Sequence, residues 1–174
     1  MSAYVALFRG INVGGKNTIP MAELREILES LGCSGVSTYI QSGNAVFDAD
    51  SIDAAAISDA VAERKGFSPS VLILDADGFA KAVEQNPYDH ADESPKTVHC
   101  YFLSAPPAKD AERRLEDLRA STEAFTLRDR VLYLDAPDGI GRSKLVASVD
   151  RAVGAPATGR NWRTIRRLQS MVPE

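Results

Sequence analysis

Apolar residues are distributed along the chain in two kinds of run, short β-prone blocks and longer stretches with helical spacing. Tyr4 to Phe8 is the first block and predicts a strand. A glycine-rich loop follows, Arg9-Gly10-Ile11-Asn12-Val13-Gly14-Gly15-Lys16-Asn17, and then Met21, Leu24, Leu28 and Leu31 recur on one side of a helix. Pro20 suits the first turn of that helix and Gly32 its stop. Val36 to Ile40 and Ala45 to Phe47 predict two strands joined by Gln41-Ser42-Gly43-Asn44, a hairpin signal. Ser51 is placed to cap a second helix that ends at Gly66, and Val71 to Leu74 predicts a further strand. The first stretch therefore has the order β-α-β-β-α-β.

Much of that order returns in the second half. Thr97 to Leu103 predicts a strand, and Pro107 to Arg119 a helix with Ala108, Ala111, Leu115 and Leu118 on one side. Two strands flank Arg128-Asp129, and a helix spans about Ser143 to Val153 with Gly154 closing it. A last helix is predicted near residues 160–172, where a strand would complete the repeat; a helix hairpin across Ala155-Pro156-Ala157 then joins the last two helices. The second series is β-α-β-β-α. Because β-α-β-β-α-β is the ferredoxin-like unit, the expected fold is α+β, with two ferredoxin-like halves, antiparallel sheets and a C-terminal helix. Residues 1–76 form the first half, 77–96 a linker with a short helix and the polar turn Asn86-Pro87-Tyr88-Asp89, and 97–174 the second half.

Composition narrows the class without naming a function. Of the 174 residues 44% are hydrophobic and 25% charged, as in an ordinary soluble globular protein. The longest apolar runs fall short of the ~18 residues of a membrane span, and the N-terminus lacks a signal-peptide layout, which predicts a soluble cytoplasmic protein without membrane partners. Cys33 and Cys100 stand apart with no CxxC, and the histidines are only His90 and His99, so no disulfide framework, metal site or cofactor is expected. All four are read as packing or loop residues. The net charge of -4 divides unevenly. Residues 1–138 carry 13 Lys/Arg against 22 Asp/Glu, whereas residues 139–174 carry 7 against 2, so the C-terminal segment is basic.

Candidate chemistry gathers in the loops. Gly10, Gly14 and Gly15 permit positive φ and leave backbone N–H groups open to an anion, with Arg9 and Lys16 supplying charge. Letter by letter, Gly10-x4-Gly15-Lys16 is a Walker A motif without its Ser/Thr, because Asn17 follows. The missing magnesium ligand, a helix start near Thr18 to Pro20 instead of at the lysine, and the β-α-β-β order argue against a nucleotide-binding P-loop. Gln41, Ser42 and Asn44 offer neutral hydrogen-bonding groups in the hairpin, although in a ferredoxin-like half that hairpin is expected at the opposite end of the sheet from the Gly-rich loop. Gly139-Ile-Gly-Arg-Ser-Lys144 opens a helix, so Arg142, Ser143 and Lys144 sit at a positive helix end, where two basic side chains call for a compensating anion or carboxylate. Arg160 and Asn161 begin the last segment. There Arg160, Arg163 and Arg167 fall at i, i+3 and i+7 as a basic stripe, and Trp162 is read as core.

These residues also carry a resemblance. Tyr4-Val-Ala-Leu-Phe-Arg-Gly-Ile-Asn-Val-Gly-Gly-Lys16, Met21-Ala-Glu-Leu-Arg25 and Thr38-Tyr-Ile-Gln-Ser-Gly-Asn44 strongly resemble the DUF1697 family, a widespread bacterial domain of unknown function. The likeness continues at Asn86-Pro87, Gly141-Arg-Ser-Lys-Leu145, Arg160-Asn-Trp162 and Thr164. It implies an α+β protein of two ferredoxin-like halves and carries no activity. The leading expectation is therefore a binder of a phosphate-containing anion, either a small molecule such as a nucleotide or a single-stranded nucleic acid. It would use Arg9, Asn12, Gly14, Gly15, Lys16, Gln41, Asn44, Arg142, Ser143, Lys144, Arg160 and Asn161. Its rivals are an acylphosphatase-like hydrolase, with Arg9 on phosphate and Asn12 or Asn44 positioning water, and a non-catalytic scaffold.

Overall fold

A computed structural model describes residues 1–174. The chain divides into two compact units, Met1–Lys81 together with Arg167–Glu174, and Ala82–Arg166. Each holds one four-stranded antiparallel sheet with helices, which makes the fold α+β. No helix is long and apolar enough to cross a membrane.

The first unit contains β1 (Ser2–Arg9), α1 (Met21–Ser30), β2 (Ser34–Tyr39), β3 (Asn44–Ala49), α2 (Ala54–Lys65), β4 (Ser70–Asp75) and the start of α3 (Ala76–Glu84). Its sheet runs β2-β3-β1-β4. Central β1 reads Val-Ala-Leu-Phe over its buried residues, a continuous apolar run suited to a strand covered on both faces. The pleat sends Ala6 and Phe8 to the same core as Ala45 and Phe47 of β3, while Val5, Leu7 and Val46 are buried on the other face.

Helix α1 lays Leu24, Ile27 and Leu28 on that core at i, i+3 and i+4, each burial worth about 1.5–3 kcal/mol. It ends in a Schellman turn, with Gly32 at φ +90 and the Cys33 amide donating to the Leu28 carbonyl at 3.2 Å. Helix α2 is capped by Asp53, whose side chain accepts from the Ala55 amide at 2.7 Å, rather than by Ser51; it stops at Gly66 in the left-handed region. Lys65 of α2 bridges Glu23 of α1 at 3.0 Å.

The second unit contains the end of α3, β5 (Val98–Leu103), α4 (Ala111–Leu118), β6 (Ala124–Arg128), β7 (Val131–Asp135), α5 (Lys144–Ala147), α6 (Val149–Val153), β8 (Ala157–Asn161) and most of α7 (Trp162–Met171). Its sheet runs β6-β7-β5-β8, the same order as in the first unit. Leu132 and Leu134 of β7 share a core with Leu103 of β5, Leu115 of α4 and Leu145.

Four expectations are corrected here. The repeat is complete, because β8 occupies the place where the sequence suggested only a helix. No helix hairpin crosses Ala155-Pro156-Ala157. Ala-Thr-Gly-Arg-Asn shows no apolar alternation, and its strand conformation comes from pairing along β5. That pairing is close enough that a Cβ at Gly159 would lie 2.3 Å from the Tyr101 ring. The helix expected over Ser143 to Val153 is broken at Ser148 (φ -122) into two short turns, and the carboxylate of Asp150 then accepts from the Ala157 amide at 3.0 Å to start β8. Helix α4 starts later than Pro107, because the Ala108 amide donates to the Val153 carbonyl at 2.8 Å and holds that stretch off the helix.

Helix α7 is fastened by one aspartate. Asp92 accepts from the Trp162 indole at 2.8 Å and from Arg166 Nε at 2.9 Å and Nη2 at 3.1 Å, while the Arg166 guanidinium lies 4.9 Å from the Trp162 ring. The bonds from Arg166 and Trp162 hold the Asp92 carboxyl below the usual aspartate range. Asp92→Ala removes the acceptor of the Trp162 indole; because Asp92 is largely exposed and water can take its place, the expected loss is about 0.5–1.5 kcal/mol at pH 7 by chemical denaturation. A carboxyl lowered on folding stabilises above its unfolded value, near 4, and loses that contribution as pH falls through the lower folded value. The variant's deficit should therefore shrink in acid; a deficit that stays constant down to pH 2 would show that the charge plays no part.

Candidate functional site

The loops of the first unit are organised by the pairing of β1 with β3. That pairing is antiparallel with Leu7 opposite Asn44, so the last residues of β1 lie beside the first residues of β3. The Gly-rich loop leaving β1 and the hairpin entering β3 therefore emerge at the same end of the sheet. The expectation that they lie at opposite ends is overturned, for this reason of strand direction.

Asn12 joins the two. Its side-chain amide donates to the Gln41 carbonyl at 2.9 Å and to the Ile19 carbonyl at 3.0 Å, and its Oδ1 accepts from the Ile19 amide at 2.8 Å. Its own backbone is left-handed, at φ +53, which asparagine tolerates better than most residues. Within the loop, the Asn12 amide donates to the Asn17 carbonyl and the Lys16 amide to the Val13 carbonyl, both at 3.0 Å. Gly14 (φ +59) and Gly15 (φ +72) thus form a two-residue turn with the φ pattern of type I′. The result is a small hairpin that holds Gly14, Gly15 and Lys16 in solvent, with exposed Arg9 at the end of β1.

On the other side, Gly43 is held against this loop. The Phe8 amide donates to its carbonyl at 2.9 Å, and a Cβ there would lie 2.5 Å from Ile11 Cδ1 and 2.7 Å from Phe8 Cβ. Asn44 is fully buried, and its amide donates to the Tyr39 carbonyl at 2.9 Å and the Ser42 hydroxyl at 3.3 Å. It closes the hairpin. Ile40 has φ +49, an outlier for a β-branched residue that costs on the order of 1–3 kcal/mol. Its side chain is 47% exposed, so burial offsets that cost only in part, and Val13 across the Asn12–Gln41 contact is 65% exposed. Arg167 lies over the ring of the neighbouring Tyr39, 5.8 Å from its centroid.

The candidates of the second unit have a different setting. Ser143 caps α5, its hydroxyl accepting from the Val146 amide at 3.1 Å, but α5 has only four residues and little dipole to offer an anion. Arg142 and Lys144 are exposed at its start. Arg160 is half-buried on β8, where its guanidinium donates to the Gly159 carbonyl at 2.9 Å; burial lowers its pKa to about 10, so it stays charged at neutral pH. Asn161 caps α7 by accepting from the Thr164 amide at 3.0 Å. Because Arg160 lies on a strand and α7 begins at Trp162, the three arginines at i, i+3 and i+7 do not form one helical stripe.

Other reactive groups serve packing. His99 is buried, its Nδ1 3.2 Å from the Thr97 carbonyl, and burial lowers its pKa; burial raises Cys33 and takes Cys100 to about 12. Sequence reasoning missed the pair His90–Asp135, at 3.0 Å, because nothing local signals a partner 45 positions away. No three His, Cys, Asp or Glu residues gather where a metal ion could be held. A depression of about 320 Å³ between α1 and α2, lined by Ile27, Ser30, Ala60, Glu63 and Arg64, contains none of the candidates. Nor does another of about 440 Å³ beside α4 and β6.

The family model for a protein of unknown function, DUF1697, matches residues 1–133. The chain belongs to the DUF1697 family. The conserved bacterial protein SP0830 from Streptococcus pneumoniae is similar in structure, with TM-score 0.78 and 24% identity over 99% of both chains, a likeness of fold. An unknown protein from Galdieria sulphuraria aligns with TM-score 0.27 and 10% identity, over 92% of this chain and 97% of its own. No curated protein matches in sequence. The DUF1697 match takes in the Gly-rich loop and the hairpin, whereas Arg142, Ser143, Lys144, Arg160 and Asn161 lie beyond it.

The Asn12 clamp is open to direct test. Asn12→Ala removes the acceptor of the buried Ile19 amide and the tie to Gln41, and should cost about 1–3 kcal/mol in chemical denaturation. Hydrogen exchange at the Ile19 amide should accelerate well beyond the global change. Unaltered protection there would mean that the loop holds its shape without the clamp.

Proposed function

We propose that this DUF1697 protein binds a phosphate-containing anion through the first unit's Gly-rich loop and hairpin, each unit being a ferredoxin-like fold. The repeated strand order and the β-α-β-β-α-β succession support the fold reading. The observation that carries the functional reading is the Asn12-clamped turn, which holds Gly14, Gly15 and Lys16 in solvent beside the Arg9 end of β1. Glycine backbone allows close approach of an anion, and a lysine ammonium binds phosphate as a point charge.

A hydrolase reading has less support. It requires an asparagine amide to position water, and both Asn12 and Asn44 direct theirs to backbone carbonyls of the loop and hairpin. The side-chain amide nitrogen of Gln41 and the backbone N–H groups of Gly14 and Gly15 are the neutral ligand contacts of this reading. Arg142, Ser143, Lys144, Arg160 and Asn161 are proposed as a weaker anion contact of their own within the second unit.

Phosphate, tripolyphosphate and mononucleotides should each be titrated while the melting temperature is followed. A ligand at 100 times its Kd stabilises by about 2.7 kcal/mol, so the midpoint should climb with concentration and not plateau early. Lys16→Ala should abolish most of the rise without lowering the melting temperature of the free protein. Arg142→Ala with Arg160→Ala should reduce it only in part. No rise with any phosphate at low ionic strength, or an undiminished rise in Lys16→Ala, rejects the reading.

A further inference from the structure

The anion site accounts for the basic and glycine-rich groups at this end of the first unit but not for its apolar ones. The large hydrophobic residues exposed in the protein are Met1, Val13 and Ile40. Two of the three stand on the two loops that Asn12 ties together, Val13 next to Asn12 and Ile40 next to Gln41. Single exposed aliphatic residues need no explanation, but a pair on adjoining tips, amid basic groups, is a feature of a contact surface.

Ile40 makes the point more sharply. A left-handed residue in a hairpin is ordinarily Asn, Asp or Gly, which reach that conformation with little strain. A β-branched side chain there strains the backbone, and at 47% exposure it returns little by packing within the chain. Replacing it by asparagine should therefore stabilise the free protein. The position acts against stability, which is the pattern expected where a side chain serves a partner.

We propose that the ligand of this site is single-stranded nucleic acid, with Val13 and Ile40 as the apolar ground for its bases and Lys16 and Arg9 as contacts for its phosphates; this rests on the anion-binding reading above. Three observations favour that occupant. Exposed Val13 stands between the two cations Arg9 and Lys16, and Ile40 lies on the hairpin tied to that loop, an arrangement that suits a ligand whose charges and flat apolar faces alternate along its length. They stand on exposed tips, not in an enclosed pocket of the kind that takes a free small molecule. A duplex hides its base faces and leaves Val13 and Ile40 nothing to cover, and a net charge of -4 opposes the many phosphate contacts on which duplex affinity depends.

The experiment uses fluorescence anisotropy of a labelled dodecamer of uridine in low salt, the same strand annealed to its complement and a labelled acidic dodecapeptide, with tripolyphosphate in a thermal-shift titration. The parent protein should bind the single strand more tightly than the duplex. Ile40→Asn should raise the melting temperature, weaken single-strand binding about tenfold, as expected for loss of one base contact, and leave the tripolyphosphate shift unchanged. Val13→Ser should weaken the single strand likewise. Equal affinity for single strand and duplex, or parental single-strand affinity in both variants, overturns the base-contact proposal while the tripolyphosphate response keeps the anion site. Preference for an acidic peptide of the same length over the oligonucleotide overturns it in favour of a protein partner. No response to tripolyphosphate and no oligonucleotide binding overturns both.

Discussion

The antiparallel pairing of β1 with β3 is the constraint on which the candidate site depends. With Leu7 opposite Asn44, the chain leaving β1 and the chain entering β3 are forced into one neighbourhood. Two loops that diverged from the same edge would expose the ends of both strands and leave Ile11 and Ile19 without cover. Instead Ile11 packs against Gly43, Ile19 is fully buried, and Asn12 supplies the polar connection between the two backbones. The absence of a side chain at Gly43 is what permits the approach. A loop held this way is pre-ordered, so a ligand meeting it bears less of the entropic cost of fixing the turn.

The second unit uses the same strand order for a different end. There the polar residues at the loop ends complete the backbone: Ser143 and Asn161 satisfy helix N–H groups, and Asp150 satisfies the first amide of β8. Basic residues are drawn into local partnerships, Arg166 with Asp92, Arg114 with Asp110 and Arg119 with Glu116. The exposed pairs among these are worth little individually. Of these three arginines only Arg166 belongs to residues 139–174, and its pairing with Asp92 neutralises one of the charges that the composition of that segment, read alone, assigns to a ligand.

How much was legible in the sequence depended on the range of the interaction. Strands β1, β3, β4 and β5 carry enough apolar residues to show themselves, and α1 shows both its apolar face and its Gly32 stop. The positive φ of Gly10, Gly14 and Gly15 was likewise legible, because it follows from local turn chemistry. Strand β8 was not: its five residues are strand only because β5 offers a free edge and Tyr101 covers Gly159. The Asn12–Gln41 bond spans 29 positions and the Trp162–Asp92 bond 70, and nothing within a window around either residue announces its partner. Ile40 illustrates a further limit, since its residue type argues for a strand while its backbone is a strained turn.

The proposed binding reading uses the groups that the tied loops present. A general base needs a titratable group near the reacting atom, and the tied loops offer amides, glycine backbone, two cations and two aliphatic side chains. The amide of Asn12 is committed on both its donor and its acceptor side, so it cannot turn to follow a transition state without releasing Ile19. Such a group fixes shape. On the proposed reading, a rigid turn with a charge at its tip and apolar residues on either side distinguishes ligands by where their charges and flat faces lie.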